Sequence, residues 1–147
     1  MCFVGYKNNL KAADRGIKCY KCLQSNLYSP CYEFAYKLGE NVKSDLYFHM
    51  FDENWKGKVM ARNGLHSYIS SETAKRKAKD RLHFYSQRFG SPTDSPLVVE
   101  CVIPKGSQYL TNGIEYVSDS LTPIKVVFDR FEYNQKKTKE MLENYQL

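Results

Sequence analysis

Three consecutive polar side chains, His66, Ser67 and Tyr68, precede a basic segment in the stretch GLHSYISSETAKRKAKDRL. An imidazole, a hydroxyl and a phenol can each donate or accept hydrogen bonds, so together they could line a pocket and hold a ligand. Residues 65–69 have the composition of a strand, and a helix is predicted to follow. The sequence therefore predicts a strand followed directly by a helix, with His66, Ser67 and Tyr68 as candidate ligand-binding residues.

Cysteine spacing raises metal binding as a second kind of chemistry. Cys19 and Cys22 form a C-x2-C pair, Cys31 follows nine residues later, and Cys2 lies upstream. Four thiolates would satisfy zinc, but the second pair lacks ligand spacing. Side chains alternate along a strand, so Cys19 and Cys22 should point to opposite faces. We therefore predict no metal site and buried free thiols, with Cys101 in the core.

The helix predicted after residue 70 has two different sides. Ser70 or Ser71 can cap it, and an apolar stripe formed by Ala74, Ala78, Leu82, Tyr85 and Phe89 should pack on a sheet. Six basic residues within 14 positions flank that stripe. They could bind nucleic-acid phosphates or form an ordinary solvated face, and the sequence leaves both interpretations open. They are Lys75, Arg76, Lys77, Lys79, Arg81 and Arg88.

Length and composition bound the class of protein. The 147 residues are predicted to form a single domain over residues 1–147, with 42% hydrophobic residues. No apolar run is long enough for a membrane span and no signal peptide is visible, which predicts a cytoplasmic protein with no membrane partner. The net charge of +6 favours phosphate-bearing partners.

Local patterns predict an α+β fold with six to eight strands, one long amphipathic helix and a short C-terminal helix. The apolar run Leu97–Ile103 has the pattern of a central strand buried on both faces. Asn112-Gly113 predicts a hairpin, and residue 124 of the last strand should share a face with residues 126 and 128. Strands are predicted at 17–24, 58–62, 65–69, 97–103 and 122–133, a turn at 52–57, a short strand or helical turn at 32–38, and a tail helix at 134–147.

The segments GLHSYISSETA, LVVECVIPKGSQYL and GIEYVSDSLTPIKVV resemble the ADP-ribosyltransferase-like fold. In that family a strand with a Ser/Thr-rich motif leads into a helix containing alanine, a V-x-V-x-x-P-x-G strand follows, and a glutamate segment closes the site. The same core is similar to small phage and gut-bacterial proteins with a GFHSY motif. The resemblance covers roughly residues 58–128 and implies small mixed or antiparallel sheets arranged as a split β-sandwich.

The resemblance also implies roles for particular residues. The family's catalytic glutamate would correspond to Glu115, its Ser/Thr position to Ser67, and its first-strand position to Tyr20 or Lys21. In such a site the carboxylate stabilises positive charge on a ribose, while other groups hold the diphosphate and position the nicotinamide. Active members carry an arginine or histidine on the first strand, and this strand has neither. NAD would be a cofactor only of a catalytically active chain.

Three function classes remain. The first is a degenerate ADP-ribosyltransferase-like module that binds a nucleotide or nucleotide-derived signal, with sequestration as phage counter-defence in a bacterial host cell. The second is an active NAD-dependent ADP-ribosyltransferase that uses Glu115. The third is an accessory protein that binds nucleic acid or a host protein through its basic helix.

Overall fold

The computed structural model describes residues 3–24, 27, 36–50, 56–89 and 96–145, and of residues 50, 81–89, 131 and 145 the backbone alone. Over this part of the chain it has two helices, eleven strands and a short 3-10 turn at Lys7–Asn9. The strands are β1 (Val4–Tyr6), β2 (Lys11–Ala12), β3 (Ile17–Leu23), β4 (Val42–Lys43), β5 (Tyr47–Met50), β6 (Lys58–Asn63), β7 (Leu65–Tyr68), β8 (Leu97–Ile103), β9 (Gln108–Thr111), β10 (Glu115–Ser118) and β11 (Ser120–Asp129); the helices are α1 (Ser71–Phe89) and α2 (Arg130–Tyr145).

The strands form two antiparallel sheets, which confirms the α+β class. The large sheet has the order β2-β9-β10-β7-β3-β8-β11-β4, and the small sheet has the order β1-β6-β5. Strand β8 lies between β3 and β11, so the prediction of a central strand at Leu97–Ile103 is confirmed. The hairpin predicted at Asn112-Gly113 is also confirmed, because β9 and β10 pair across it.

Helix α1 packs on one face of the large sheet, which we call the helix face. The Ser70 hydroxyl accepts hydrogen bonds from the backbone N–H groups of Glu72 and Thr73 at 3.1 and 3.3 Å, so Ser70 is the cap. Ala74 and Ala78 are fully buried against Cys22 and Val98, because alanine lets the helix backbone approach the sheet closely. The first half of the predicted apolar stripe is confirmed; the side chains at 82, 85 and 89 lie outside the described part.

The opposite face of the large sheet, which we call the core face, carries the largest buried cluster in the described ranges. It contains the inward side chains of β3 and β8 together with residues from the sheet's neighbouring strands and loops. Its members are Ala13, Cys19, Leu23, Tyr36, Leu65, Leu97, Val99, Cys101, Ile103 and Leu121.

The small sheet packs against strands β9 and β10 of the large sheet. Phe3, which precedes β1, and Val59 of β6 meet Leu110 and Val117, and all four side chains are at most 1% exposed. Val117 pairs with His66, and His66 lies on the same side of β7 as Tyr68, which packs under α1. This contact is therefore on the helix face. The two sheets therefore share a second apolar core beside the one under α1.

Strand β11 departs from its predicted pattern. Its pairing with β8 is shifted between Pro123 and Lys125 and again between Val126 and Phe128. Val126 lies opposite Val99 of the core face, whereas Phe128 packs with the cluster under α1. The prediction that residues 124, 126 and 128 share one face is wrong, because each irregularity reverses the alternation of side chains.

The end of β11 was also predicted too late in the chain. The strand stops at Asp129, and α2 begins at Arg130 rather than at residue 134. The Asp129 carboxylate accepts a hydrogen bond from the Glu132 backbone N–H at 3.4 Å, which is the geometry of a helix cap. The predicted C-terminal helix is therefore confirmed, but it starts four residues earlier than expected and has 16 residues.

The sequence predicted too few strands. More strands are present than the six to eight expected, because short ones such as β1, β2 and β4 carry too few residues to show a pattern. The strand predicted at 58–62 is confirmed as β6. The predicted strand or turn at 32–38 and the turn at 52–57 lie largely outside the described residues.

Candidate functional site

Cross-strand register brings three candidate residues side by side. Tyr20 on β3 lies opposite Tyr68 on β7, and Tyr68 lies opposite Glu115 on β10. Directly opposed residues in antiparallel strands have their side chains on the same face. The two phenols and the carboxylate therefore stand next to one another, although they come from three separate segments of the chain.

The same register extends this line of side chains in the other direction. Tyr20 lies opposite Glu100 on β8, and Glu100 lies opposite Lys125 on β11. We call the five residues Glu115, Tyr68, Tyr20, Glu100 and Lys125 the tyrosine row. At about 4.8 Å between neighbouring strands, Glu115 and Glu100 stand roughly 14 Å apart with both phenols between them.

Helix α1 holds one side of the tyrosine row in place. Tyr20 and Tyr68 are half-buried and pack against the cluster that α1 forms with β3 and β8. The Cys22 thiol donates a hydrogen bond to the Ala74 carbonyl at 3.0 Å, which joins the first turn of the helix to β3. Because packing already fixes the two rings, they would lose less conformational entropy when a ligand stacks on them.

Glu115 forms one end of the row and is held by its own hairpin. The Asn112 side-chain oxygen accepts hydrogen bonds from the backbone N–H groups of Ile114 and Glu115 at 3.0 and 2.8 Å. The Glu115 side chain is half-buried, and burial raises the pKa of its carboxyl, while the charge of Lys77 on α1 acts to lower it. A carboxylate beside a lysine and a phenol can accept hydrogen bonds from hydroxyl or amino groups of a ligand.

Glu100 forms the carboxylate toward the other end of the row. Its oxygens lie 3.8 Å from Lys18 Nζ and 3.9 Å from Lys125 Nζ. Both lysine side chains are largely exposed, so these ion pairs contribute little to stability. Their ammonium groups remain accessible to an anion that approaches the helix face.

His66 lies on the helix face two residues before Tyr68, below the small sheet. Its ring makes an edge contact with Phe3 at 6.4 Å between centroids. Burial, together with the charge of Lys21, lowers the pKa of the imidazole to about 4. The imidazole is therefore neutral at pH 7 and does not supply a positive charge for a phosphate.

Lys21 and Ser67 lie on the core face, away from the tyrosine row. Lys21 Nζ donates a hydrogen bond to the His66 backbone carbonyl at 2.6 Å and lies 5.4 Å from the centre of the Tyr36 ring. Ser67 is buried and pairs with Tyr116, whose ring packs on the core-face cluster. The thickness of the sheet therefore separates Lys21 and Ser67 from Glu115.

The buried thiols divide between the two faces, as strand alternation predicted. Cys19 and Cys101 lie opposite each other on the core face, and Cys22 faces α1. Burial raises the pKa of Cys19 to about 11 and that of Cys101 to about 12, so both thiols stay protonated and unreactive at neutral pH. No group of three or more metal-ligating side chains occurs within the described ranges, which do not include Cys2 or Cys31.

A cleft of about 810 Å³ lies elsewhere, beside the β8–β9 and β10–β11 turns. Its charged lining residues are Lys43, Lys105, Asp45 and Asp119, two of each sign. It contains no residue of the tyrosine row. The balanced charge gives it no preference for an anion.

The sequence had not marked Glu100, Lys125 or Lys18 as site residues, and it had named Lys77 only among the basic residues that flank the apolar stripe of α1. Each joins the tyrosine row through strand register or helix packing, and no short motif surrounds any of them. Glu100 alone had a signal, since it is the single charge within the apolar run Leu97–Ile103. Removing a charged side chain from water costs free energy, so a single glutamate in a buried strand indicates a residue with a specific role.

Comparisons with protein families, curated proteins and solved structures found no match for this chain. The ADP-ribosyltransferase-like resemblance therefore rests on the short segments quoted above. Neither α1 nor α2 is long and apolar enough to cross a membrane.

Proposed function

We propose that this protein is a nucleotide-binding module and that the tyrosine row is its binding surface. The observation that carries the proposal is the register that aligns Tyr20, Tyr68 and Glu115 on three adjacent strands. Two aromatic rings held by packing suit a stacked base, and a neighbouring carboxylate suits ribose hydroxyls or a base amino group. The ligand class is a nucleotide or a nucleotide-derived signal.

Positive charge near both ends of the row supports a phosphate-bearing ligand. At one end the charge of Lys77 acts to lower the pKa of Glu115, and at the other end Lys18 and Lys125 form ion pairs with Glu100. Ammonium groups bind phosphate as point charges with three rotatable donors. The overall charge of +6 favours the approach of such an anion.

Binding without turnover fits the arrangement better than transferase chemistry. The resemblance assigns the first-strand contact to Tyr20 or Lys21 and the Ser/Thr contact to Ser67. Tyr20 lies in the row with Glu115, but Lys21 and Ser67 lie across the sheet from it. A glycosyl transfer needs these groups around one ribose at the same time. We therefore favour sequestration of a signalling nucleotide, in the cytoplasm of a bacterial host, over its consumption.

A thermal-shift screen with NAD, ADP-ribose and cyclic nucleotides tests the proposal. A ligand at 100 times its Kd should stabilise the fold by about 2.7 kcal/mol, which is a rise in Tm of roughly 5–10 °C for a chain of this size. The affinity of any hit is then measured by calorimetry with Tyr68→Ala and with Tyr47→Ala. Tyr47 is the matched control, because it is 62% exposed on β5 and lies outside the row.

The expected result is a loss of binding in Tyr68→Ala and unchanged binding in Tyr47→Ala. Equal effects of the two variants would place the ligand elsewhere, and no shift with any nucleotide would refute the proposal. Incubation with labelled NAD addresses the transferase alternative. Nicotinamide release that disappears in Glu115→Gln would show that the chain is an enzyme after all.

A further inference from the structure

The two helices meet at a basic surface that shares no residue with the tyrosine row. Arg130, the first residue of α2, donates a hydrogen bond from Nη1 to the Ala78 carbonyl of α1 at 3.4 Å. This contact brings Lys79 of α1 next to Tyr133 and Lys137 of α2. We call Lys79, Tyr133 and Lys137 the helix-junction patch.

Two ammonium groups lie close to one aromatic ring in this patch. Lys79 Nζ lies 4.9 Å and Lys137 Nζ 4.8 Å from the centre of the Tyr133 ring. Phe128 supports the ring from the end of β11, with 5.5 Å between centroids, and Lys79 also lies 5.7 Å from the Phe128 ring. The lysines thus place two positive charges beside an aromatic ring.

Further exposed cations lie close in sequence to the helix-junction patch on the same two helices. Arg76 precedes Lys79 on α1, and Lys136 and Lys139 adjoin Lys137 on α2; all three are exposed. The acidic neighbours are fewer: Asp80 follows Lys79, Glu132 precedes Tyr133, and the charge of Glu140 acts to raise the pKa of both Tyr133 and Lys137. The local net charge is positive and is therefore complementary to the negative charge of a chain of phosphates.

We infer that the helix-junction patch binds single-stranded nucleic acid through phosphate contacts from Lys79 and Lys137 and base stacking on Tyr133. Binding of lysines to phosphates releases the condensed counterions, which supplies affinity. An aromatic ring beside cations can stack on any base. A duplex offers the same phosphates but keeps its bases stacked on each other. The single strand is therefore the partner that uses both features of the patch.

Fluorescence anisotropy with a labelled 20-nucleotide oligothymidylate over a range of salt concentrations tests this inference. Each phosphate contact on a single strand contributes about 0.7 to the slope of log K against log salt. The double variant Lys79→Ala/Lys137→Ala should lower that slope by about 1.4. The matched control is Lys11→Ala/Lys105→Ala, which removes the same net charge from two exposed lysines outside both helices.

Tyr133 is tested separately from the charges. Tyr133→Ala should weaken binding at least about fivefold with little change in the salt slope, because stacking is lost while the lysines remain. Tyr133→Phe keeps the ring and should bind within about twofold of the native chain.

Four results would overturn the inference. They are the absence of salt-dependent binding, an equal loss of slope in the control double variant, unchanged affinity in Tyr133→Ala, and equally tight binding of a 20-base-pair duplex. Far-UV circular dichroism on each variant verifies that α1 and α2 remain folded.

Discussion

The substitution Gly64→Ala should destabilise the fold strongly, because this glycine joins β6 to β7 where no side chain fits. Its φ of +128° lies in a region that residues with a Cβ rarely adopt. A Cβ at this position would lie 2.5 Å from Val117 Cγ2 and 2.8 Å from Leu46 Cδ1. Val117 is fully buried between the two sheets, so it cannot move aside without disturbing that core.

Two separate costs contribute to the expected effect. The backbone conformation costs an alanine about 1–3 kcal/mol, and forcing an extra methyl into a packed core costs about 1–3 kcal/mol more. The sum is a loss of about 2–6 kcal/mol in the free energy of unfolding. Gly113→Ala is the matched control: its φ is +89°, and no atom would lie within 4 Å of the new Cβ, so only the backbone cost applies.

Urea denaturation followed by far-UV circular dichroism measures the difference. With a slope of about 1–3 kcal/mol per molar urea, the steric cost should move the midpoint of Gly64→Ala about 1 M below that of Gly113→Ala. Adding Val117→Ala to Gly64→Ala should cost less than the sum of the two single changes, because the smaller side chain relieves the clash. Equal midpoints for the two glycine variants would show that the packing argument is wrong.

Three further predictions concern individual side chains. The unfolded chain binds a proton at His66 near pH 6.5 and the folded chain only near pH 4, so native stability should fall by up to about 3 kcal/mol as the pH drops through that window, and urea titrations of His66→Gln should show a shallower fall. Ser70→Ala should cost about 1 kcal/mol through loss of the α1 cap, while Ser71→Ala should cost less; equal losses in urea titrations would contradict the cap assignment. Iodoacetamide at pH 8 should leave Cys19 and Cys101 unmodified in the native protein and label both in urea, as read by mass spectrometry; labelling of the native protein would show that these thiols are accessible.

Elements with a strong local signal were predictable from the sequence. The run Leu97–Ile103 is apolar at nearly every position, and the strand has the same bounds in the structure. The turn at Asn112-Gly113 depends on neighbouring residues only and was found. The sequence narrowed the α1 cap to Ser70 or Ser71, and the structure shows that Ser70 is the cap. Strand β11 was harder, because two register shifts against β8 reverse its faces. Pro123 lies at the first shift, but nothing in the composition of the strand marks the second.

For the candidate site, the sequence determined which chemical groups were available, and the tertiary structure decided which of them meet. Tyr20, Tyr68 and Glu115 align because of the register between β3, β7 and β10. Side chains alternate with a period of two, so a slip of one residue would have placed Ser67 on the helix face instead of Tyr68. That register depends on the whole sheet, the packing of α1 and the turn at Gly64, and none of these can be read from the short segment that contains each residue.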